Sequence, residues 1–321
     1  MLSFRTVSSH EFDRLELASW FFPPSAVERV AGLRHDHEIS LQNLWVAEQV
    51  GEDAVPIVVD AVWTQVGAGR IASLLLPCYR PHSNWESAEL DRLSLRTSLL
   101  NHTLNATAAH PVRLITYLEP SDAQMDEWAC ALTHTGMMAV GTVQSMVWSG
   151  DAAVEYTDQV GKPVVFTRYT STMKDRLIDV LQATYEDSFD FPVLNGQRET
   201  TDVLDSYLDD SETAGDYWFV VCREEVTNMG SYNDVGCLLL SVPAARSGMS
   251  NIELLYFGVI SEERGKGLGG AILRQAQQIA NTLGLGLIAQ VDASNQFAVD
   301  VYKRLGFNEY DARRLFIKWC D

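Results

Sequence analysis

The chain has 321 residues, of which 46% are hydrophobic and 21% are charged. This composition is typical of a folded globular protein and excludes a mostly disordered, collagen-like or coiled-coil chain, while the length suits two domains of about 150 residues. Because 24 Lys and Arg stand against 43 Asp and Glu, a net charge of −19, no nucleic-acid or membrane partner is expected, and a cationic small molecule or a basic peptide is favoured.

The N-terminal half alternates between apolar, β-branched runs and segments of helical periodicity. The predicted strands are 44–49, 57–64, 69–76, 113–118 and 137–148, and the predicted helices are 86–109 and 122–134. All seven histidines lie in this half, the last at position 134. His35, His37 and Glu38 form a polar cluster that we interpret as surface rather than as a metal site.

A polar segment without periodicity, from Ser149 to the Gly-Lys-Pro that ends at Pro163, separates the two halves. We predict a first domain over 1–150, a linker over 151–163 and a second domain over 164–321. The predicted strands of the second half are 164–169, 217–222, 236–242, 252–260, 286–291 and 314–319. Helices are predicted at 171–187, at 202–208, after Gly267 up to a C-cap at Gly284, and from an N-cap at Asn295 to Gly306. This order predicts an α/β fold with helices on both faces of a sheet.

The two halves repeat a similar order of elements. When Gly136 is matched to Gly306, an offset of 170 residues, the second part of each half superimposes in pattern. We infer an internal duplication.

The five cysteines are widely scattered and show no spacing typical of a zinc site. We therefore expect reduced thiols and no metal. The N-terminal sequence lacks the apolar core of a signal peptide, and no run approaches the roughly 20 apolar residues of a membrane helix. A cytoplasmic protein is expected.

A glycine-rich turn follows the predicted buried strand 252–260 and opens a helix. Glycines let backbone N–H groups crowd around an anion, and a helix N-terminus adds a partial positive charge, so a pyrophosphate is the natural ligand. The predicted diphosphate-binding residues are Arg264, Gly265, Lys266, Gly267, Leu268, Gly269 and Gly270.

Two interpretations of this turn compete. Gly265-x-Gly267-x-x-Gly270 matches the dinucleotide fingerprint of a dehydrogenase, with Asp292 at the end of the next strand. Against it, four residues separate the strand from the first glycine, and only about 50 residues remain for a six-stranded sheet.

The second interpretation is a resemblance to the GNAT superfamily of acetyl-CoA-dependent N-acetyltransferases. The family signature Gln/Arg-x-x-Gly-x-Gly/Ala is matched by Arg264-x-x-Gly267-x-Gly269, and residues 291–307, with Asn295 and Tyr302, resemble its second motif. The resemblance covers residues 164–321, whereas the first half resembles a degenerate copy. It implies an α/β fold of two tandem domains, each a mixed, mostly antiparallel sheet flanked by helices. The tandem arrangement is similar to that of the mycothiol synthases, but the acceptor region shows no match to them.

The resemblance also implies roles for individual residues. The backbone around Phe257 and Val259 is expected to pair with the pantetheine amides of acetyl-CoA. Asn295 contacts the pantetheine arm or orders the following loop. Tyr302 protonates the departing thiolate, although it can equally be a packing residue. Glu253 lies eleven residues before the signature arginine, where histone-acetylating members have a catalytic glutamate.

Direct transfer needs an uncharged amine, and deprotonating a lysine-like amine at pH 7 costs about 4–5 kcal/mol. Because the second half has no histidine, Glu253 is the leading candidate base, with an ordinary solvated carboxylate as the alternative. The segment 185–195 mixes aromatic and acidic residues. Tyr185, Asp187 and Asp190 are predicted to bind the acceptor ammonium, unless this is a solvated acidic loop.

The first half lacks the features that this chemistry needs. The segment from Cys78 to Trp85 contains no glycine, and at the offset of 170 residues Leu132 and Met125 replace Tyr302 and Asn295. We predict a non-catalytic first domain and an active second one, which transfers acetyl from acetyl-CoA to a primary amine of a small molecule or peptide by direct attack. The alternative is an acyl-CoA-binding sensor or scaffold without turnover. The oligomeric state is left open.

Overall fold

The structure is a computed structural model, and it describes residues 2–22, 27, 41, 43–50, 56–77, 91–119, 126–150, 164–210, 215–224, 232–243 and 249–320. The chain forms two compact units: unit 1 comprises Met1–Val140 with Arg313–Asp321, and unit 2 comprises Gly141–Ala312. The predicted cluster at residues 35–38, the segment 78–85, Met125 and the linker residues 151–163 lie outside the described residues.

Unit 1 contains a six-stranded sheet with helices on both faces. Its strands are β1 (Leu2–Thr6), β2 (Leu44–Val50), β3 (Pro56–Val66), β4 (Ile71–Leu75), β5 (Leu114–Leu118) and the C-terminal part of β12 (Asn308–Trp319), in that order across the sheet. Its helices are α1 (Ser9–Arg14), α2 (Ala18–Phe21), α3 (Arg92–Ala108) and α4 (Asp126–His134). The sequence patterns missed β1, α1 and α2. A capping box between Ser8 and Glu11 begins α1, and Arg5 forms an ion pair with Glu11 at 2.8 Å.

Unit 2 repeats this arrangement. Its sheet order is β6 (Met138–Trp148), β11 (Gly286–Asp292), β10 (Asn251–Val259), β9 (Tyr232–Ser241), β8 (Trp218–Glu224) and β7 (Val164–Arg168). Its helices are α5 (Lys174–Tyr185), α6 (Thr200–Asp210), α7 (Leu268–Leu283) and α8 (Gln296–Arg304). The predicted caps of the last two helices are confirmed: Gly284 ends α7 at φ 69°, and the Asn295 side chain accepts from the Ala298 amide at the start of α8.

The pairing pattern is the same in both units. Among the described strands of each unit, one neighbouring pair is parallel, β4–β5 in unit 1 and β10–β11 in unit 2. The other neighbouring strands within each unit pair antiparallel. This confirms two tandem, mostly antiparallel mixed sheets. The parallel six-stranded sheet of a dinucleotide-binding dehydrogenase is thereby excluded, and that interpretation of the glycine turn was wrong.

The last strand of each sheet comes from the other half of the sequence. Strand β6, expected in the first domain, pairs with β11, as Leu287 opposite Trp148 shows. The end of β12, expected in the second domain, pairs with β5, where Leu315 lies opposite Leu118. The compact units therefore differ from the predicted ranges 1–150 and 164–321. The alternation of apolar and polar residues predicts that each of these segments is a strand. Strand pairing is non-local, so the sequence alone did not identify the strand that each one pairs with.

Two hydrophobic clusters cover the sheet of unit 2. On one face, α7 and α8 pack against the sheet through residues such as Ile272, Ala276 and Tyr302. On the opposite face, α5 and α6 pack through Leu181 and Leu204. The sheet thus holds Tyr302 on the face covered by α7 and α8, and helices α5 and α6 on the opposite face.

Candidate functional site

Strands β10 and β11 separate part of the way along their length. They are paired from Asn251 to Leu254, and the described structure shows no pairing between them beyond that point. A register shift between Leu254 and Tyr256 marks a β-bulge, while β10 stays paired with β9 as far as Val259. The second part of β10 therefore has an open edge, which we call the β10–β11 opening.

The alternation of backbone groups decides which residues face this opening. The Ile260 amide donates to the Val235 carbonyl of β9. Since successive residues of a strand point their hydrogen-bonding groups to opposite sides, Phe257 and Val259 direct theirs away from β9. The Val259 carbonyl accepts from Nε of Arg264 at 3.1 Å. The backbone groups of Phe257 therefore face the β10–β11 opening, and their pairing with a pantetheine chain stays a prediction.

The glycine turn lies directly after β10. Gly265 and Gly267 adopt left-handed conformations, at φ 74° and 80°, and helix α7 begins at Leu268. The first amides of a helix lack intrahelical acceptors, and no side chain within the described structure caps those of Leu268, Gly269 and Gly270. An uncapped helix N-terminus behind two glycines in this conformation forms a cradle for an anion.

The equivalent helix of unit 1 begins differently. The carboxylate of Asp91 accepts from the amides of Leu93 and Ser94 at the N-terminus of α3. These amides are already bonded to a negative group, which would repel a second anion. The contrast shows that the repeated topology carries two different helix N-termini.

The two cations of the turn have different surroundings. Lys266 is half-exposed and pairs with Glu263 at 3.1 Å, and Glu263 also binds Arg223 at 2.7 Å. The Arg264 guanidinium instead points back toward α5. It donates to the carbonyls of Thr184, Glu186 and Asp187 at 3.0, 2.7 and 2.8 Å, besides that of Val259.

This placement of Arg264 differs from the predicted direct contact with a diphosphate. Its guanidinium satisfies carbonyls at the C-terminal end of α5, where a cation also interacts favourably with the helix dipole. Arg264 therefore connects the glycine turn with the segment that follows α5.

Tyr302 lies in α8 with its ring between two phenylalanines. The ring meets Phe257 at 5.9 Å and Phe307 at 5.1 Å between centroids, both edge to face, and the residue is 2% exposed. Its hydroxyl makes no hydrogen bond within the described part of the chain. Burial, assisted by the negative charge of Asp190, raises the pKa of Tyr302. The phenol therefore keeps its proton at neutral pH and is available as a donor.

Asn295 caps helix α8 with its side-chain amide. Its oxygen accepts from the Ala298 amide at 3.3 Å. Of the two predicted roles, the structure supports the ordering of the following segment.

Glu253 lies on the paired stretch of β10, opposite Ser241 of β9 and Ile288 of β11. Its neighbours Ile252 and Leu254 belong to the core on the α7 face, so Glu253 points to the α5 face. It lies four residues, or about 13 Å of extended strand, before Phe257. Its catalytic role stays a prediction.

The three predicted acceptor residues have unlike surroundings. Tyr185 ends α5, packs against Tyr256 at 5.1 Å between ring centroids, and its hydroxyl lies 3.1 Å from that of Tyr207. Asp187 is exposed at φ 52°. Asp190 is half-buried and accepts from the Asp292 amide at 2.8 Å. The structure brings Asp190, and not Asp187, to the end of β11.

Sequence reasoning missed three residues of this region. Tyr207 and Tyr256 lie with Tyr185 in a stack of phenols; burial raises the pKa of Tyr207 to about 12 and that of Tyr256 well above its ordinary value. Asp292, 3% exposed, had been considered only as a ribose ligand of a dinucleotide. Its position at the end of a buried strand was the available signal, whereas the two tyrosines follow no pattern that separates them from packing residues.

Within the described residues, no group of three or more His, Cys, Asp or Glu side chains is placed to hold a metal ion. No helix of the described structure combines the length and apolar character needed to cross a bilayer.

Comparison with known proteins finds a family model that matches part of unit 2. The family model for the acetyltransferase (GNAT) family matches residues 180–307. No curated protein matches the chain. A crystal structure of a GCN5-related N-acetyltransferase from Sphaerobacter thermophilus is similar over 99% of this chain and 96% of that one, with 16% identity and a TM-score of 0.58.

A second solved structure is a GCN5-related glucosamine N-acetyltransferase region of a fungal multi-domain GH3 β-N-acetylglucosaminidase. It matches 99% of this chain with 16% identity and a TM-score of 0.65, and this chain spans 38% of its length. At these identities the likeness establishes the fold alone.

Proposed function

Residues 180–307 belong to the acetyltransferase (GNAT) family, and from this premise we propose that the chain transfers acetyl from acetyl-CoA to a primary amine by direct attack in a ternary complex. The observation that carries the proposal is the β10–β11 opening, which ends at the uncapped N-terminus of α7 and passes the hydroxyl-bearing ring of Tyr302.

The residues of unit 2 fit acetyl-CoA. The amides of Leu268, Gly269 and Gly270 would accept the diphosphate, and the backbone of Phe257 would pair with the pantetheine arm. Lys266 supplies a cation at the rim of the turn. Bound there, acetyl-CoA supplies the activated acyl group.

Tyr302 is the proposed proton donor to the leaving sulfur. A thiol with a pKa near 8.5 departs tolerably without help, so a donor accelerates the reaction rather than making it possible.

The acceptor is proposed to be a small-molecule or peptide amine. The net charge of −19 attracts cations, and the acidic segment after α5 is held against the end of β11 by the bonds of Asp190 and Phe191. We propose that unit 1 has no catalytic site of its own, because Asp91 occupies the helix N-terminus that would hold a diphosphate.

Thiol release tests the proposed function. The full chain is incubated with acetyl-CoA and a panel of primary amines that differ in pKa and charge, and free thiol is measured over many turnovers. Sustained release with at least one amine is expected. Binding of acetyl-CoA without release above the rate of spontaneous hydrolysis for every amine would favour the sensor.

A matched pair of glycine variants tests the diphosphate cradle. Gly267 and Gly284 flank the same helix, at φ 80° and 69°, so valine strains the backbone at both positions. Calorimetry should show that Gly267→Val loses acetyl-CoA affinity by at least 10-fold, whereas Gly284→Val keeps it. Equal affinities in the two variants would refute the assignment of the turn.

A further inference from the structure

Gln290 is an exposed side chain in the middle of a central strand. Its strand, β11, lies between β6 and β10, and its neighbours Ala289 and Val291 are buried in the core under α7 and α8. Because successive side chains of a strand point to opposite faces, Gln290 points to the face on which α5 and α6 pack. Its exposure shows that these two helices do not cover this part of the face.

The uncovered area extends from β11 onto β6. Gln290 lies opposite Ser145, and one step along the pair Ile288 lies opposite Val147. Directly opposite residues of an antiparallel pair share a face, and Met146, between the two β6 residues, belongs to the core under α7. The cluster under α5 and α6 contains residues of β8, β9 and β10 and, within the described part of the chain, none of β6 or β11. We call the uncovered residues the β6–β11 floor: Ser145, Val147, Ile288 and Gln290.

The floor carries a pair of polar side chains. Neither the amide of Gln290 nor the hydroxyl of Ser145 forms a side-chain hydrogen bond with the residues that the structure describes. The Cβ atoms of directly opposite residues lie about 4.5–5.5 Å apart, so one ligand group can reach both side chains. Each side chain donates and accepts hydrogen bonds, and neither is charged. The pair therefore suits a neutral hydroxyl or carboxamide group better than an ammonium or a carboxylate.

The floor adjoins the β10–β11 opening. Strand β11 pairs with β10 as far as Ala289, so Gln290 is the first residue of β11 along the opening. Across the opening, Tyr256 packs under α5 and α6, whereas the ring of Phe257 contacts that of Tyr302 on the opposite face. An acceptor on the floor and the proposed proton donor would thus reach a thioester in the opening from opposite faces of the sheet.

The acidic segment after α5 borders the floor. The Asp190 carboxylate accepts from the Asp292 amide at 2.8 Å, and the Asp292 carboxylate accepts from the Phe191 amide at 3.1 Å. Asp292 lies two residues, or about 7 Å of strand, beyond Gln290 and on the same face. Negative charge for an ammonium is therefore present at the end of the floor, while the floor itself offers uncharged hydrogen-bonding groups.

We propose that Gln290 and Ser145 bind a neutral hydroxyl or carboxamide group that lies next to the amine of the acceptor. The inference rests on the proposed function and deepens it, because it makes the acceptor an amino alcohol or an amino amide rather than a plain alkylamine. The two residues position the acceptor and determine its selection, and they take no proton in the reaction.

The selectivity between matched amines tests this assignment. Ethanolamine is compared with propylamine, and glycinamide with isobutylamine, because methyl groups replace the polar group within each pair. From kcat/KM for thiol release, the preference for the polar amine of at least one pair should fall by at least about 10-fold in Gln290→Leu and by roughly threefold or more in Ser145→Ala. A difference in basicity within a pair cancels, because every chain is tested with the same two amines.

Gln278→Leu is the matched control. Gln278 is also an exposed glutamine, but it lies on α7, about 15 Å along the helix from Leu268. This variant should keep the preference of the parent chain within about twofold. Calorimetry should give Gln290→Leu the acetyl-CoA affinity of the parent chain within about twofold, and its melting temperature should stay within about 2 °C.

A preference that changes no more in Gln290→Leu than in Gln278→Leu would overturn the inference and leave the acetyltransferase proposal standing. A melting temperature lowered by more than about 2 °C, or an altered oligomeric state in ultracentrifugation, would do the same, since the floor would then pack against another part of the chain or a second copy. Failure of the parent chain to release thiol with any primary amine would instead overturn both.

Discussion

The Arg264→Ala substitution is expected to loosen the segment that follows α5. The guanidinium donates four hydrogen bonds, to the carbonyls of Val259, Thr184, Glu186 and Asp187. Removing it leaves the last carbonyls of the helix without these partners and detaches the glycine turn from the segment that leads to Asp190.

The size of the expected destabilisation depends on how exposed each of the four hydrogen bonds is. Those to Glu186 and Asp187 are exposed, so water replaces the lost donor at little cost, whereas those to Val259 and Thr184 are partly buried. At about 1–2 kcal/mol for each partly buried charged bond, the local opening free energy should fall by roughly 2–4 kcal/mol. This corresponds to amide exchange that is about 30- to 700-fold faster.

Native-state hydrogen exchange of peptides covering residues 184–191 measures this effect, together with the acceptor KM. Lys266→Ala is the control, because the Lys266 side chain is 51% exposed and pairs with Glu263. The local opening free energy of residues 184–191 should change by less than about 1 kcal/mol in this variant. The reasoning is refuted if exchange in 184–191 is unchanged. A loss of acetyl-CoA affinity with an unchanged acceptor KM would show instead that Arg264 contacts the diphosphate.

Two further substitutions test other parts of the chain. Tyr302→Phe keeps the ring contacts and removes a hydroxyl that has no partner in the described structure. Turnover should fall by about 100-fold, while the melting temperature and the acetyl-CoA affinity stay constant. Unchanged turnover would show that Tyr302 is not the proton donor. Hydrogen bonds from Ser8 and Arg5 lower the pKa of Glu11 to about 2. The stability that the ionised Glu11 contributes to the fold is therefore fully present above about pH 4.5 and is lost as the pH falls toward 2. Urea unfolding at pH 7 should therefore show that Glu11→Gln destabilises unit 1 by about 1 kcal/mol, and the difference from the parent chain should narrow below pH 4.5. A difference in unfolding free energy that does not depend on pH would contradict this.

Local signals predicted much of unit 2. The periodicity of α7, its C-cap at Gly284 and the N-cap of α8 at Asn295 depend on residues within a few positions of each other, and all were confirmed. The repeated order of elements also predicted the tandem topology, and Gly136 and Gly306, matched in sequence, share a φ of 80°.

The features that the sequence did not predict depend on contacts between residues that are distant along the chain. The motif identified Arg264 as a cation but not its carbonyl partners, which lie up to 80 residues earlier. Asp187 and Asp190 were equivalent in sequence, and only the packing of their segment against β11, 102 residues away, separates an exposed carboxylate from one held at the end of β11. The partners of β6 and β12 were hidden for the same reason.

The late position of β12 has a consequence for synthesis. Its Arg314 forms an ion pair with Glu119 at the edge of β5, a separation of 195 residues. At about 5–20 residues per second, the ribosome takes roughly 10–40 s to cover that distance. Throughout this interval the nascent chain carries β5 without the strand that covers its edge in the folded protein. The sheet of unit 1 therefore cannot be completed until unit 2 has been translated.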